Sequence, residues 1–231
     1  MLNSGAGWLD EEESRHCRRV MRKKTGDIIR ISDGCGTIAE ARLVDVDERR
    51  CTYTVEKNHV FPQDPYSIEI ALAPTKNTDR IEWFVEKSVE LGVHKVSFII
   101  CRHSVREIVQ INRLRRVAIS AMKQSGRAWL PVLNPPVQFD VFVDKASADS
   151  KFIAHLGNSH PEHLMIMAKP YSNYTVLIGP EGDFSREEVQ TAEYAGFSRV
   201  SLGSTRLRTE TAALAACHSL ILCNISKNEP D

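Results

Sequence analysis

Leu177-Ile178-Gly179-Pro180-Glu181-Gly182-Asp183-Phe184-Ser185 decides how this chain is read, together with a second stretch, Leu202-Gly203-Ser204-Thr205-Arg206-Leu207-Arg208-Thr209-Glu210-Thr211-Ala212. Each begins where an apolar run ends and stops where a helical pattern starts. Tyr174 to Ile178 reads as a buried strand, and Ser185 with Glu188 matches a capping box for a helix ending at Gly196. Val200 to Leu202 reads as the next strand, and a helix follows from Thr209 to Cys223. The glycines allow close backbone approach or positive φ, and Pro180 stiffens the first loop. Two such strand, loop and helix units in succession indicate an α/β domain, whose ligands sit beyond the carboxyl ends of its strands.

The same rhythm extends back to Ser67. Ser67 to Leu72 is extended, and Thr78 or Asp79 can cap a helix from Arg80 to Leu91, closed by Gly92. Val96-Ser97-Phe98-Ile99-Ile100 has the continuous apolar character of a strand buried on both faces. Asn112 to Ser125 is amphipathic, and Phe152 to Leu156 reads as a further strand. Residues 26 to 70 differ. Ile28 to Ile31, Thr37 to Val46 and Cys51 to Val55 are short strands separated by turns, which suggests a small barrel. Pro62 and Pro65 then punctuate the chain. The domain division is placed at 1–66 and 67–231.

With 231 residues the chain can bury a proper core, and no apolar run reaches the roughly 18 to 20 residues of a membrane helix. The stretch from Met1 to Trp8 lacks the basic then apolar build of a signal peptide, so a cytoplasmic protein is expected. The six cysteines are scattered with no C-x-x-C pair, so neither a zinc cluster nor a disulfide framework is expected. Thirty basic residues balance thirty acidic ones, which by itself argues against a nucleic-acid partner. The charge is uneven, however. From Arg15 to Arg30 there are seven basic residues against Asp27 alone, and from Arg102 to Arg127 seven against Glu107 alone. Each tract is either a phosphate contact or a solvated helix face.

No G-x-x-x-x-G-K-[ST], no G-x-G-x-x-G after a strand, no H-E-x-x-H and no G-x-S-x-G occurs. A nucleotide-like cofactor would therefore have to bind through the backbone of the two glycine-bearing loops. The residues identify ligand loops without identifying the ligand.

The stretch from Leu177 through Glu188, with Leu202-Gly203 and Leu207 to Ala212, closely resembles the C-terminal signature of the RsmE family. Three more stretches resemble the family in the same order: His16 to Asp27, Lys76 to Gly92, and Gln124-Ser125-Gly126-Arg127 before Pro131. The resemblance spans nearly the whole chain. It implies a SPOUT α/β domain, tied in a trefoil knot with a parallel sheet flanked by helices, behind a small PUA-like β-barrel. It implies S-adenosylmethionine (SAM) as cofactor, a homodimer, and methylation of N3 of one uridine in 16S ribosomal RNA of the small subunit, with no metal and no membrane. The alternatives are a SPOUT enzyme with another RNA target and a non-catalytic ribosome-assembly protein that binds RNA.

Carried over by that resemblance, Gly179, Pro180, Glu181, Gly182, Leu202, Gly203, Leu207, Arg208 and Thr209 contact the cofactor. Ile178 and the loop holding Leu156 and Gly157 join them. Arg208 is the candidate for stabilising a uracil anion, against a structural salt bridge, and Glu181 for a base or nucleotide-positioning role, against capping of nearby amides. Arg15, Arg18, Arg19, Arg22, Lys23, Lys24 and Arg127 are the candidates for holding RNA. The sequence departs from the family pattern in three places. Asp183 stands where many members have a second glycine, Ser204-Thr205-Arg206 replaces another triplet, and the usual aromatic opening strand is lacking.

Overall fold

The computed structural model describes residues 5–155, 157 and 161–225. The chain divides into two compact units, Met1–Gln63 with Gly126–Trp129, and Asp64–Ser125 with Leu130–Asp231.

The first unit is a four-stranded antiparallel sheet. Its elements are β1 (Ala6–Trp8), the short helix α1 (Glu11–Arg15), a π-helical turn at His16–Val20, β2 (Ile28–Ser32), β3 (Thr37–Asp45) and β4 (Thr52–Val60), with strands in the order β1-β4-β3-β2. Asp10 starts α1 by accepting the Glu13 N–H at 2.8 Å. The Ser14 hydroxyl joins helix to sheet, accepting the Cys51 N–H at 2.8 Å and donating to the Leu9 carbonyl at 3.1 Å. Around it Cys17, Ile29, Ala41, Leu43, Cys51 and Tyr53 make the core. The expectation that an opening strand is lacking is corrected. Ala6–Trp8 pairs with Thr52–Thr54, and Trp8 carries the Arg50 guanidinium 4.4 Å from its ring centre. Three residues are too few to show a period of two, so the pattern did not reveal this strand.

The second unit is a parallel sheet covered on both faces. In chain order it comprises β5 (Ser67–Leu72), α2 (Thr78–Leu91), β6 (Lys95–Ile100), α3 (Ile111–Ser125), β7 (Val132–Leu133), β8 (Val137–Gln138), α4 (Phe139–Lys145), β9 (Ser150–Ala154), α5 (Leu164–Met167), β10 (Asn173–Ile178), α6 (Arg186–Tyr194), β11 (Ser198–Val200) and α7 (Thr209–Cys223). The strand order is β11-β9-β10-β5-β6-β7, and β8 also pairs with β6. Alternation along a strand sends successive side chains to opposite faces. Ile70, Leu72, Phe98, Val176 and Ile178 accordingly pack with Phe84 of α2, Leu114 of α3 and Ala213 and Leu220 of α7. Ala71, Ile99, Ile153 and Leu177 point the other way, to Phe139 of α4 and Val189 of α6. No described helix is long and apolar enough to cross a membrane.

Several ends shift from their expected places for local reasons. Asn77, rather than Thr78 or Asp79, caps α2 by accepting the Asp79 N–H at 2.9 Å, so the helix starts earlier. The strand expected at Val200 to Leu202 ends at Val200, because the Ser201 hydroxyl accepts the Gly203 N–H at 3.1 Å and turns the chain. The expected capping box of Ser185 and Glu188 is present, both of its hydrogen bonds formed.

Phe84 is fully buried where α2 meets the sheet. Phe84→Ala is expected to cost about 3–5 kcal/mol in urea unfolding, through lost transfer energy and the cavity left behind. A loss below about 1 kcal/mol would mean that α2 is not anchored there.

Candidate functional site

The strands β10, β9 and β11 are neighbours in the sheet and run parallel, so their carboxyl ends open side by side. Each hands the chain to a loop, and the three loops enclose a cavity of about 640 Å³. Ala154, His155 and Gly157 contribute from the β9 end. Ile178, Gly179, Pro180, Glu181 and Asp183 contribute from the β10 end. Val200, Leu202, Gly203, Thr205, Arg206, Leu207 and Arg208 follow β11, and Thr209 and Ala212 bring the start of α7 into the wall.

Hydrogen bonds tie the two glycine-bearing loops into one wall. The Thr209 hydroxyl donates to the Gly179 carbonyl at 3.0 Å, and Arg206 donates to the Glu181 carbonyl at 3.2 Å. Gly203 takes φ 128°, in the region that glycine alone enters without steric cost, and this lets the chain swing from β11 toward α7. Helix α7 has no side-chain cap, so its first amide donors are left for another acceptor. A helix start of this kind favours negative or hydrogen-bond-accepting groups.

The residues expected to contact a cofactor are thus largely brought together. Gly157, Ile178, Gly179, Pro180, Glu181, Leu202, Gly203, Leu207, Arg208 and Thr209 all line the cavity. Gly182 does not; it backs onto His103, whose Cβ would lie 3.0 Å from a Cβ placed there. Leu156 lies outside the described residues. Among the described residues Arg208 pairs with no carboxylate, and it is exposed at the cavity mouth. Glu181 does hold an amide, accepting the Lys76 N–H at 3.2 Å, while Arg106 donates to the Lys76 carbonyl at 3.1 Å. Glu210, in the first turn of α7, is buried, lies 3.6 Å from the Arg80 guanidinium, and has one oxygen without a hydrogen-bond partner.

Asp183 and Arg206, two of the departures from the family pattern, line the cavity, and with them stands His155, which the loop pattern does not announce. The His155 Nδ1 lies 3.0 Å from an Asp183 carboxylate oxygen, and the other Asp183 oxygen accepts the Phe184 N–H at 2.7 Å. Burial pushes the Asp183 carboxyl up, but the His155 and Phe184 hydrogen bonds and the nearby Arg206 charge outweigh it and hold the group below the usual carboxylate range. Asp183 therefore stabilises the fold above its unfolded-state value, and this contribution fades as the pH falls through the lowered one. Its backbone is left-handed, φ 64°, a conformation that aspartate tolerates better than most residues. His155 could have been suspected only from its place between a buried strand and Gly157.

In the first unit the basic tract is partly answered by acids. Arg15 pairs with Glu11 at 2.6 Å, Arg18 with Asp47 at 3.8 Å and Arg19 with Glu48 at 2.6 Å. Lys23 donates to the Ile28 carbonyl at 3.1 Å. Arg22 and Lys24 are exposed and have no ion pair among the described residues, whereas Arg127 is half-buried.

Thr209→Val keeps the side-chain volume and removes the hydroxyl that joins the loops. A loss of about 1 kcal/mol is expected in chemical denaturation with the slope unchanged. An unchanged midpoint would show that this bond does not hold the wall together.

Compared with known proteins, residues 62–221 match the RNA methyltransferase domain family and residues 9–56 the RNA methyltransferase PUA domain family. The chain is 28% identical over 211 residues to the ribosomal RNA small subunit methyltransferase E of Aquifex aeolicus, covering 90% of each protein. It is 40% identical to a probable rRNA-methyltransferase of Porphyromonas gingivalis of known structure, with a TM-score of 0.87 and 94% of each chain covered. A ribosomal RNA small subunit methyltransferase E of Neisseria gonorrhoeae, solved bound to S-adenosyl methionine, is 29% identical, with a TM-score of 0.87 and 97% of this chain and 94% of that one covered.

Proposed function

Because the chain belongs to the RNA methyltransferase family of the RsmE kind, with a SPOUT catalytic unit, we propose that it is a SAM-dependent methyltransferase of small-subunit ribosomal RNA, acting on N3 of one uridine. The observation that carries this reading is the joining of the Gly179–Asp183 and Leu202–Thr209 loops into one cavity at three adjacent strand ends. The cavity fits the cofactor. Its volume lies within the range of nucleotide-sized ligand sites. Ile178, Val200, Leu202, Leu207 and Ala212 give it apolar surface for a purine. The uncapped start of α7 offers amide donors, and Glu181 and Asp183 supply negative charge for a cationic ligand.

The bound cofactor supplies an electrophilic methyl group on a sulfonium, and the chain supplies alignment. Uridine N3 carries a proton on its pairing edge, so the base must be unpaired or turned out to reach the cavity mouth. Loss of that proton to solvent would leave negative charge spread over N3 and the uracil carbonyls, and the charge would be consumed as N3 bonds to the methyl carbon and the carbon–sulfur bond to the thioether leaving group breaks. Arg208, exposed at the mouth and unpaired among the described residues, is placed to stabilise that charge. Glu181 holds the Lys76 amide and with it the loop before α2, which gives it a positioning role in nucleotide binding.

The division at 1–66 and 67–231 then separates a PUA-like RNA-holding domain from the methyltransferase domain. Arg22 and Lys24 are the members of the first basic tract most available to phosphates, with Arg15, Arg18, Arg19 and Lys23 beside them in the chain and Arg127 as a further candidate. A homodimer is proposed through the second unit, where Met165, Ile166, Leu222 and Ile225 leave apolar surface exposed on α5 and around the end of α7. The reaction is placed in the cytoplasm, where small ribosomal subunits are found.

Mass mapping of ribosomal RNA from cells lacking the protein is expected to show one N3-methyluridine lost. The wild-type chain should restore it, and Arg208→Ala should not, although the variant still folds. Near-normal methylation by Arg208→Ala would remove that residue from the mechanism. Loss of a different modification would favour another RNA target, and absence of SAM binding in calorimetry would favour a non-catalytic assembly protein. Separately, Arg22→Ala is expected to weaken RNA binding and to lower the salt slope by about one, leaving SAM affinity unchanged. An unaltered slope would take Arg22 out of the interface.

A further inference from the structure

Asp183 and His155 approach each other across the cavity wall from two different strand ends. A carboxylate can only accept hydrogen bonds, and both Asp183 oxygens are engaged, one by the Phe184 N–H and one by His155 Nδ1. The proton of neutral His155 therefore sits on Nδ1, and the Nε2 lone pair has no hydrogen-bond partner among the described residues. The Nε2 edge of the ring lies over Gly157, where a Cβ would come within 3.0 Å of it. Gly157 and His155 both line the cavity, and the His155 side chain keeps a small part of its surface exposed there. The side chain of Asp183 remains partly open to the same space.

We propose that Asp183 and His155 work as one positioning pair in the methyl-donor cleft, with Nε2 of singly protonated His155 accepting a hydrogen bond from a hydroxyl or ammonium group of the bound donor. This rests on the SAM-binding reading given above. Asp183 fixes the tautomer and ring orientation, and the left-handed backbone at this residue aims its carboxylate at the imidazole. The charged groups around the pair set the response to pH. Arg206 reaches it from the loop after β11, and Arg199 of β11 lies near Gly157 while pairing with Glu193 at 2.8 Å. His103, from the loop after β6, meets the Asp183 carbonyl with its Nδ1 at 3.0 Å. A second proton on His155 turns Nε2 from acceptor to donor and adds positive charge where Arg206 and Arg199 already stand. A cationic ligand then loses its acceptor and meets repulsion.

The test is SAM affinity of the full chain, measured by calorimetry from about pH 8 to about pH 6, the span in which histidines commonly change charge. The wild-type protein is expected to bind several-fold more weakly at the acid end, because a proton on Nε2 competes with the donor for the same lone pair. His155→Gln should bind more weakly at the alkaline end and respond less to acid, and Asp183→Asn should lose part of the same response. A flat wild-type profile, or a response undiminished in both variants, overturns the proposal. No binding by the wild type at any pH would instead overturn the SAM reading itself. If neither variant folds, nitrogen NMR of the wild-type histidines decides the matter. An Nδ1–H tautomer whose Nε2 signal moves on adding SAM is expected for His155, and an Nε2–H tautomer there overturns the pair.

Discussion

One hydrogen bond, from the Thr209 hydroxyl to the Gly179 carbonyl, makes two separate loops into one surface. The cavity wall in the second unit rests on that closure and on the Arg206 bond beside it. The closure is possible because β9, β10 and β11 are adjacent and parallel, so that their exits lie within reach of the start of α7. Parallel pairing sets the directions of the strands, and the loops inherit a common side of the sheet. The bond then fixes their spacing. Arg206 repeats the pattern one step outward on the Glu181 carbonyl, and Glu181 extends it to Lys76 and so to the loop before α2.

Much of this arrangement was legible in the chain itself. The buried strands at 67–72, 96–100 and 174–178 announce themselves because a parallel strand covered on both faces has no polar side to hide its apolar run. The Ser185–Glu188 box is readable because capping is a local hydrogen-bond requirement. The small elements were not readable: β1, β7, β8 and α5 are too short for a period, and α4 spans only seven residues. The site followed the same division. Loop glycines and Arg208 stand in stretches whose constraint is visible, whereas His155 is a single polar residue at a strand end and gains meaning only from Asp183, which lies 28 positions away.

The basic tract shows a different limit. Counting charges along residues 15 to 30 finds almost no acid, yet Asp47 and Glu48 come from the turn before β4 and Glu11 from the first turn of α1. Pairing through space lowers the tract's effective charge, and exposed pairs of this kind add little stability of their own. What the sequence presents as seven equivalent cations the fold sorts into answered and unanswered ones.

The position of β5 has a consequence for how the chain is made. It lies between β6 and β10, and Ser67 meets Asn173, 106 positions further along the chain. During synthesis one side of β5 can be satisfied early by β6, but its other row of amides and carbonyls waits for most of the second unit to leave the ribosome. For that interval Ile68, Ile70 and Leu72 belong to an open edge able to recruit the wrong partner. The antiparallel strands of the first unit pair over much shorter separations, and only Gly126–Trp129 joins them later. The nascent chain thus carries paired leading strands while its central strand is still half-paired, and that interval is when its apolar edge is most open to mispairing.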